Sequence, residues 1–284
     1  MLSVKLHNNT LSLPDSWEDL TPVEYIKILH ILNTEYFRSV AQLKILYMLT
    51  GYKISRKNLT TEKRDIINNN LRNLASLITF PFGDGIINHN LKRNPIPFIR
   101  IGLRKIHGLK FDIGEFTKTN ITAIQFADAY ELAKDYQNTS SQESLYLLTA
   151  ILYPGKRIHS EVIHSDYASK FKNVDIAILK GVHFWFTSVI RYFMDDEIYG
   201  LLFKGEQIKD EDYISLGMKE TILGLSEKGY GDIDKVSSLN VLDFFDLQIK
   251  NLKQIIQDAL AKGAKTENIA KELNINYSTI MRLC

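Results

Sequence analysis

The residue types that could do chemistry occur in short, separate groups. Pro154-Gly155-Lys156-Arg157 sets glycine beside lysine as a phosphate-binding loop does. The earlier glycine and the following Ser or Thr are missing, so the run reads as a basic turn. His159 and His164 stand five apart with Glu161 between them. The zinc pattern HExxH needs a spacing of four to place both imidazoles on one helical face, so surface or loop histidines are expected here. Asp195-Asp196-Glu197 has the charge for a hard cation, but three successive carboxylates after an apolar run read as a solvated helix end. Ser165-Asp166 beside His164 offers the groups of nucleophilic catalysis in no spacing that makes them converge. His183-Phe184-Trp185-Phe186, with Tyr192 and Phe193, has too few interleaved cations for a base-stacking surface and reads as packed core. The expectation is a protein that is not an enzyme and has no catalytic residue, cofactor or metal site.

The last twenty residues are more informative. From Thr266 to Cys284 the small and apolar positions fall as in a helix-turn-helix: Ile269, Leu273, Ile275, Ile280 and Leu283 face inward, and Ala270 is small enough for close helix approach. Asn274 takes the turn position, where asparagine is the next most tolerant residue after glycine, and Asn276 can cap the second helix. Lys265, Lys271, Tyr277, Ser278, Thr279 and Arg282 are the candidate DNA contacts. Arg282 is the single cation of the second helix, fewer than a base-reading helix normally presents.

Upstream elements must position that segment. Ser3 to Leu13 alternate around Asn8-Asn9 as a hairpin would. Thr21-Pro22-Val23-Glu24 then has the parts of a capping box and predicts a helix with a stripe of Val23, Ile26, Leu29 and Leu32. A second helix carries Val40, Leu43, Leu46 and Tyr47 to a stop at Gly51. A third enters near Thr60 with Ile66, Ile67, Leu71, Leu74 and Ile78 and ends before Pro81. Glycines and prolines from Gly83 to Gly114 punctuate β-like runs at Phe98 to Ile101 and Leu109 to Ile113. Ile121-Thr122-Ala123-Ile124-Gln125-Phe126 repeats the pattern of residues 20 to 25, and Leu145 to Ile151 with Gly155 and Lys156 echoes Leu43 to Leu49 with Gly51 and Lys53.

The reading is a mainly α protein of two similar three-helix units with small β-hairpins, followed by the C-terminal helix-turn-helix. Residues 1–95 form the first unit with its N-terminal hairpin, 96–200 the second, 201–237 a connector, and 238–284 the C-terminal helices. Hydrophobic residues are 45% of the 284 and charged residues 24%, enough apolar material for real cores. Lys and Arg number 35 against 33 acidic residues, so the formal charge of +2 gives no overall field and any basic surface must be local. Cys284 is the one cysteine, which leaves no internal disulfide and fits a reducing compartment. Residues 1–14 lack the apolar core of a secretory signal, so the mature chain is expected to start at Met1. Asp175, Lys180, His183 and Arg191 interrupt Val174 to Met194, which reads as a buried core helix rather than a membrane span.

Leu13-Pro14-Asp15-Ser16-Trp17-Glu18-Asp19-Leu20-Thr21, the helix start Ile121 to Phe126, Leu147 to Tyr153, and Ile222 to Leu242 with Gly231-Asp232-Ile233 and Leu239-Asn240 together sample most of residues 11 to 245. In these segments the chain resembles proteins from the tail gene clusters of tailed phages of Bacteroidetes-type hosts and, more distantly, phage tail assembly chaperones. Its richness in Asn, Lys and Ile fits an AT-rich phage genome. The resemblance implies work through binding surfaces in the host cytoplasm or the virion. The protein would hold the tail-length-determining protein before assembly or become part of the virion, with apolar grooves presented to partner helices. Implied partners are other tail or virion proteins and a second copy of the chain. The helix-turn-helix lies outside that family's pattern and implies the alternative, a DNA-binding regulator or packaging accessory.

Overall fold

Helix α1 (Pro22–Thr34) begins where its capping residues dictate. The Thr21 hydroxyl accepts from the Glu24 N–H at 3.3 Å, and the Glu24 carboxylate accepts from the Thr21 N–H at 2.8 Å. Two of the four free N–H groups of a helix start are thereby satisfied. The computed structural model in which this is seen describes residues 2–6, 9–51, 60–82, 91–114, 116–159, 162, 166–207, 217–273 and 275–283. Asn8, Lys53, Gly83, Gly85, Glu161, His164, Ser165, Asn274 and Cys284, each given a role by the sequence reading, lie outside the described residues.

The protein is mainly helical, with small two-stranded antiparallel sheets. Strands β1 (Leu2–Leu6) and β2 (Asn9–Leu13) pair as the first hairpin. After α1 come α2 (Arg38–Thr50), ended by Gly51 at φ 63°, and α3 (Thr61–Ser76), whose cap is Thr60. Strands β3 (Phe98–Ile101) and β4 (Arg104–His107) form a second hairpin, and β5 (Phe111–Asp112) pairs with β6 (Lys118–Thr119). Helix α4 (Ala123–Thr139) opens with the same reciprocal cap as α1, here between Thr122 and Gln125. It is followed by α5 (Gln142–Leu152), a 3-10 turn at Ala168–Asn173, and α6 (Ile176–Asp195). A 3-10 run at Tyr199–Gln207, α7 (Met218–Glu227) and α8 (Ile233–Ser238) lead to the long α9 (Val241–Ala261). The described residues close with α10 (Thr266–Glu272) and α11 (Tyr277–Leu283).

Helix α6 organises the core. Ala177, Leu179, Val182, Trp185, Phe186, Val189 and Phe193 are fully buried on it, so the reading of this stretch as a core helix holds. Helix α1 crosses it where the Tyr25 hydroxyl donates to the Gly181 carbonyl at 2.9 Å. Trp17, Tyr25, Phe80 and Phe184 meet around that crossing, and Phe126, Phe193 and Phe245 make edge-to-face contacts further along. Side chains from residues 13 to 245 join one continuous core, including Ile222, Leu225 and Val236 from the stretch read as a connector. The buried face of α1 centres on Tyr25 and Ile28, whereas Val23 is 60% exposed. Ile66 of α3 is likewise exposed, and the buried residues of that helix, which packs against α2, are Leu71 and Ala75.

Gly108 marks a close approach. A methyl on its α-carbon would stand 2.7 Å from the Tyr153 ring and 2.8 Å from Asn94 Nδ2. Tyr153 cannot give way, since its hydroxyl donates to the Ile96 carbonyl at 2.6 Å within full burial, and that burial pushes the phenol well above its ordinary range.

A second, smaller core lies at the other end of α9. There Ile249 and Ile256 pack with Leu201, Ile269, Ile275, Ile280 and Leu283. About 30 Å long at 1.5 Å per residue, α9 feeds Phe244 and Phe245 into the main core and Ile256 into the small one. Among the described residues no helix is long and apolar enough to cross a membrane.

Candidate functional site

Three places in the described structure gather side chains that could bind or react. The first is the C-terminal pair α10 and α11. The chain leaves α9 through a tight turn closed by the Ala264 N–H donating to the Ala259 carbonyl at 3.0 Å. Helix α10 ends similarly, with the Ile275 N–H donating to the Ala270 carbonyl at 2.9 Å. Ile269, Ile275, Ile280 and Leu283 are buried and Leu273 and Ala270 partly so, which are the inward positions the sequence predicts. The Asn276 carbonyl accepts the first bonds of α11, from Thr279 and Ile280.

The residues predicted to touch DNA divide on this frame. Lys265 and Lys271 are exposed on and beside α10, and Tyr277 and Ser278 on α11, while Thr279 is half-buried. Arg282 is exposed but engaged, since its guanidinium pairs with Glu197 just beyond α6. That exposed pair contributes little to stability, yet it occupies the one cation of α11. The neighbouring carboxylates are also placed: Asp195 pairs with Arg191 one turn back, and Asp196 accepts from the N–H groups of Ile198 and Tyr199 at 2.8 Å. Among the described residues no three His, Cys, Asp or Glu side chains are grouped to hold a metal.

The second place is a groove of about 750 Å³ between α4 and α6. Ala133, Phe184, Ile190 and Met194 supply apolar surface, and Lys134, Gln137, Arg191 and Asp195 form a polar rim. His183 sits in it with its Nε2 3.2 Å from the Ala133 carbonyl and its ring edge-on to Tyr136. His183 to Asp195 spans about 18 Å of α6, roughly three helical turns.

The third is a polar cluster that sequence reasoning misses. Asp128 of α4, 8% exposed, faces His159 Nε2 at 2.6 Å and also pairs with Lys219 of α7. Of the surface or loop position expected for His159, the surface part does not hold, for only 15% of its side chain is exposed and its Nδ1 is buried without a hydrogen-bond partner. Burial alone would raise the Asp128 carboxyl. Hydrogen bonds from His159 and Lys219, with their charges, outweigh it and hold the group below the ordinary carboxylate range. The cluster ties His159, after α5, and the start of α7 to α4. Its members are 31 and 91 positions from Asp128, so no local pattern reports it.

Comparisons with known protein families, with characterised proteins and with solved structures find no match to this chain.

Proposed function

We propose that the protein is a non-catalytic component of a tailed-phage tail region, acting in the host cytoplasm in tail assembly or as part of the virion. It works by holding an apolar helix of a partner protein. The observation that carries this reading is the groove between α4 and α6, whose apolar floor, charged rim and three-turn length match what one face of an amphipathic helix requires. The resemblance of residues 11 to 245 to tail-cluster proteins supplies the class of partner, other tail or virion proteins. The two capping boxes 101 positions apart, at Thr21 and Thr122, support a body built from two similar three-helix units. Co-expression with tailed-phage tail proteins tests the reading: they should be retained by the native chain and lost from Met194→Arg, which puts a cation on the exposed wall of the groove.

A second reading is favoured by one observation, the packing of α10 and α11 onto α9 through the inward positions of a helix-turn-helix. That arrangement leaves Lys265, Lys271, Tyr277 and Ser278 outward and supports a DNA-binding regulator or packaging accessory. DNA binding of this kind weakens steeply with salt and disappears when residues 264–284 are removed. Binding that survives the removal excludes the C-terminal helices as its source.

A further inference from the structure

The register of the β3–β4 hairpin fixes which of its main-chain groups are left over. The Gly108 N–H donates to the Pro97 carbonyl at 3.1 Å, so Pro97 with Gly108 is a hydrogen-bonded pair just outside the strands. Antiparallel ladders alternate bonded and non-bonded pairs. Ile99 with Ile106 and Ile101 with Arg104 are therefore bonded pairs, while Phe98 with His107 and Arg100 with Lys105 are non-bonded ones. The N–H and carbonyl groups of the non-bonded pairs point away from the hairpin's own ladder. On the β3 side the 3-10 turn Ala168–Asn173 lies close by. On the β4 side the outward groups of Lys105 and His107 have no hydrogen-bond partner among the described residues, and both residues are exposed.

The side chains at the same positions carry uncompensated charge. Strand alternation puts Phe98, Arg100, Lys105 and His107 on one face, and Ile99, Ile101, Arg104 and Ile106 on the other. Arg100 and Lys105 stand directly opposite each other in a non-bonded pair, where side chains are closest and like charges destabilise. Both lie over the Phe98 ring, at 5.9 and 4.6 Å, and neither forms an ion pair among the described residues. A carboxylate beside them would offset that repulsion. Leu103 in the turn is fully exposed, where turns favour polar residues, and offers apolar surface at the end of the same edge. A second copy is a poor occupant, because edge-to-edge pairing of two β4 strands brings like charges together. The charge fits an acidic strand instead.

We propose that the open edge of β4 takes up an extended acidic segment of a partner protein as an antiparallel third strand, bonded to the main chain of Lys105 and His107 and with a carboxylate opposite Lys105 on the face it shares with Arg100. The edge shares no residue with the groove between α4 and α6 or with α10 and α11, and the proposal rests on neither.

The test is fluorescence anisotropy of the full chain with a labelled peptide of about eight alternating Glu and Val residues. Saturable binding is expected. In an antiparallel third strand the residues opposite Lys105 and His107 exchange main-chain bonds with them, so the Glu residues face the edge with their N–H groups and the Val residues turn theirs away. The peptide N-methylated at its Glu residues should therefore bind about tenfold or more weakly, and the peptide N-methylated at its Val residues as well as the parent. Both arms use the native chain. Arg100→Gln with Lys105→Gln should weaken binding of the parent peptide about tenfold or more. His107→Pro, which removes an outward N–H and leaves the β3–β4 bonds and both cations in place, should weaken it too, and Met194→Arg should change nothing. The proposal is overturned by absence of binding, by equal binding of the two N-methylated peptides, by equal binding of a peptide with Lys in place of Glu, by indifference to both sets of substitutions in the hairpin, or by loss in Met194→Arg, which would place the peptide in the groove.

Discussion

Asp128 holds a buried polar contact together, pairing with both His159 and Lys219. Its carboxylate satisfies His159 and Lys219 from an almost fully buried position, and its folded pKa lies below the ordinary 3.8. A carboxylate with a depressed folded pKa adds stability that is fully present above its unfolded value and lost as pH falls through the folded one. Asp128→Asn should therefore cost about 1–3 kcal/mol near neutral pH. In denaturant titrations the gap between native chain and variant should hold down to about pH 4.5 and close as the pH drops further. A gap independent of pH would mean that Asp128 acts by shape and not by charge. The inward positions of the last helices are legible in the sequence because Ile269, Ile275 and Ile280 obey short-range spacing. The Asp128 cluster is illegible, since its partners come from separate elements brought together only by packing.

At the scale of elements, helix starts are read well, and the hairpin of residues 2–13 and the strand Phe98–Ile101 are read too, but not the partner strand β4. Thr21 and Thr122 announce their helices because a capping box is a local arrangement of four residues. Strand β4 has a single apolar residue in Arg104-Lys105-Ile106-His107 and no strand pattern of its own; it is extended because it pairs with Phe98–Ile101. Helix α9 joins a large core to a small one, and this predicts uneven stability. Truncating Ile280, fully buried in the small core, should release α10 and α11 in hydrogen exchange while the amides of α6 remain as protected as before. Equal loss of protection in α6 would show that the two cores unfold as one.

For the whole molecule, a net charge of +2 gives no overall field. Its mainly helical character is legible from apolar periodicity, whereas the junction of residues 13 to 245 into one core is not, because the Tyr25 to Gly181 crossing joins positions 156 apart. The groove between α4 and α6 is a product of the same packing. Size-exclusion chromatography and affinity capture of the chain co-expressed with tailed-phage tail proteins test the proposed function most directly. A stable complex that forms with the native chain and not with Met194→Arg is the predicted result. A monomer that retains none of those proteins, or a complex indifferent to Met194→Arg, would contradict it.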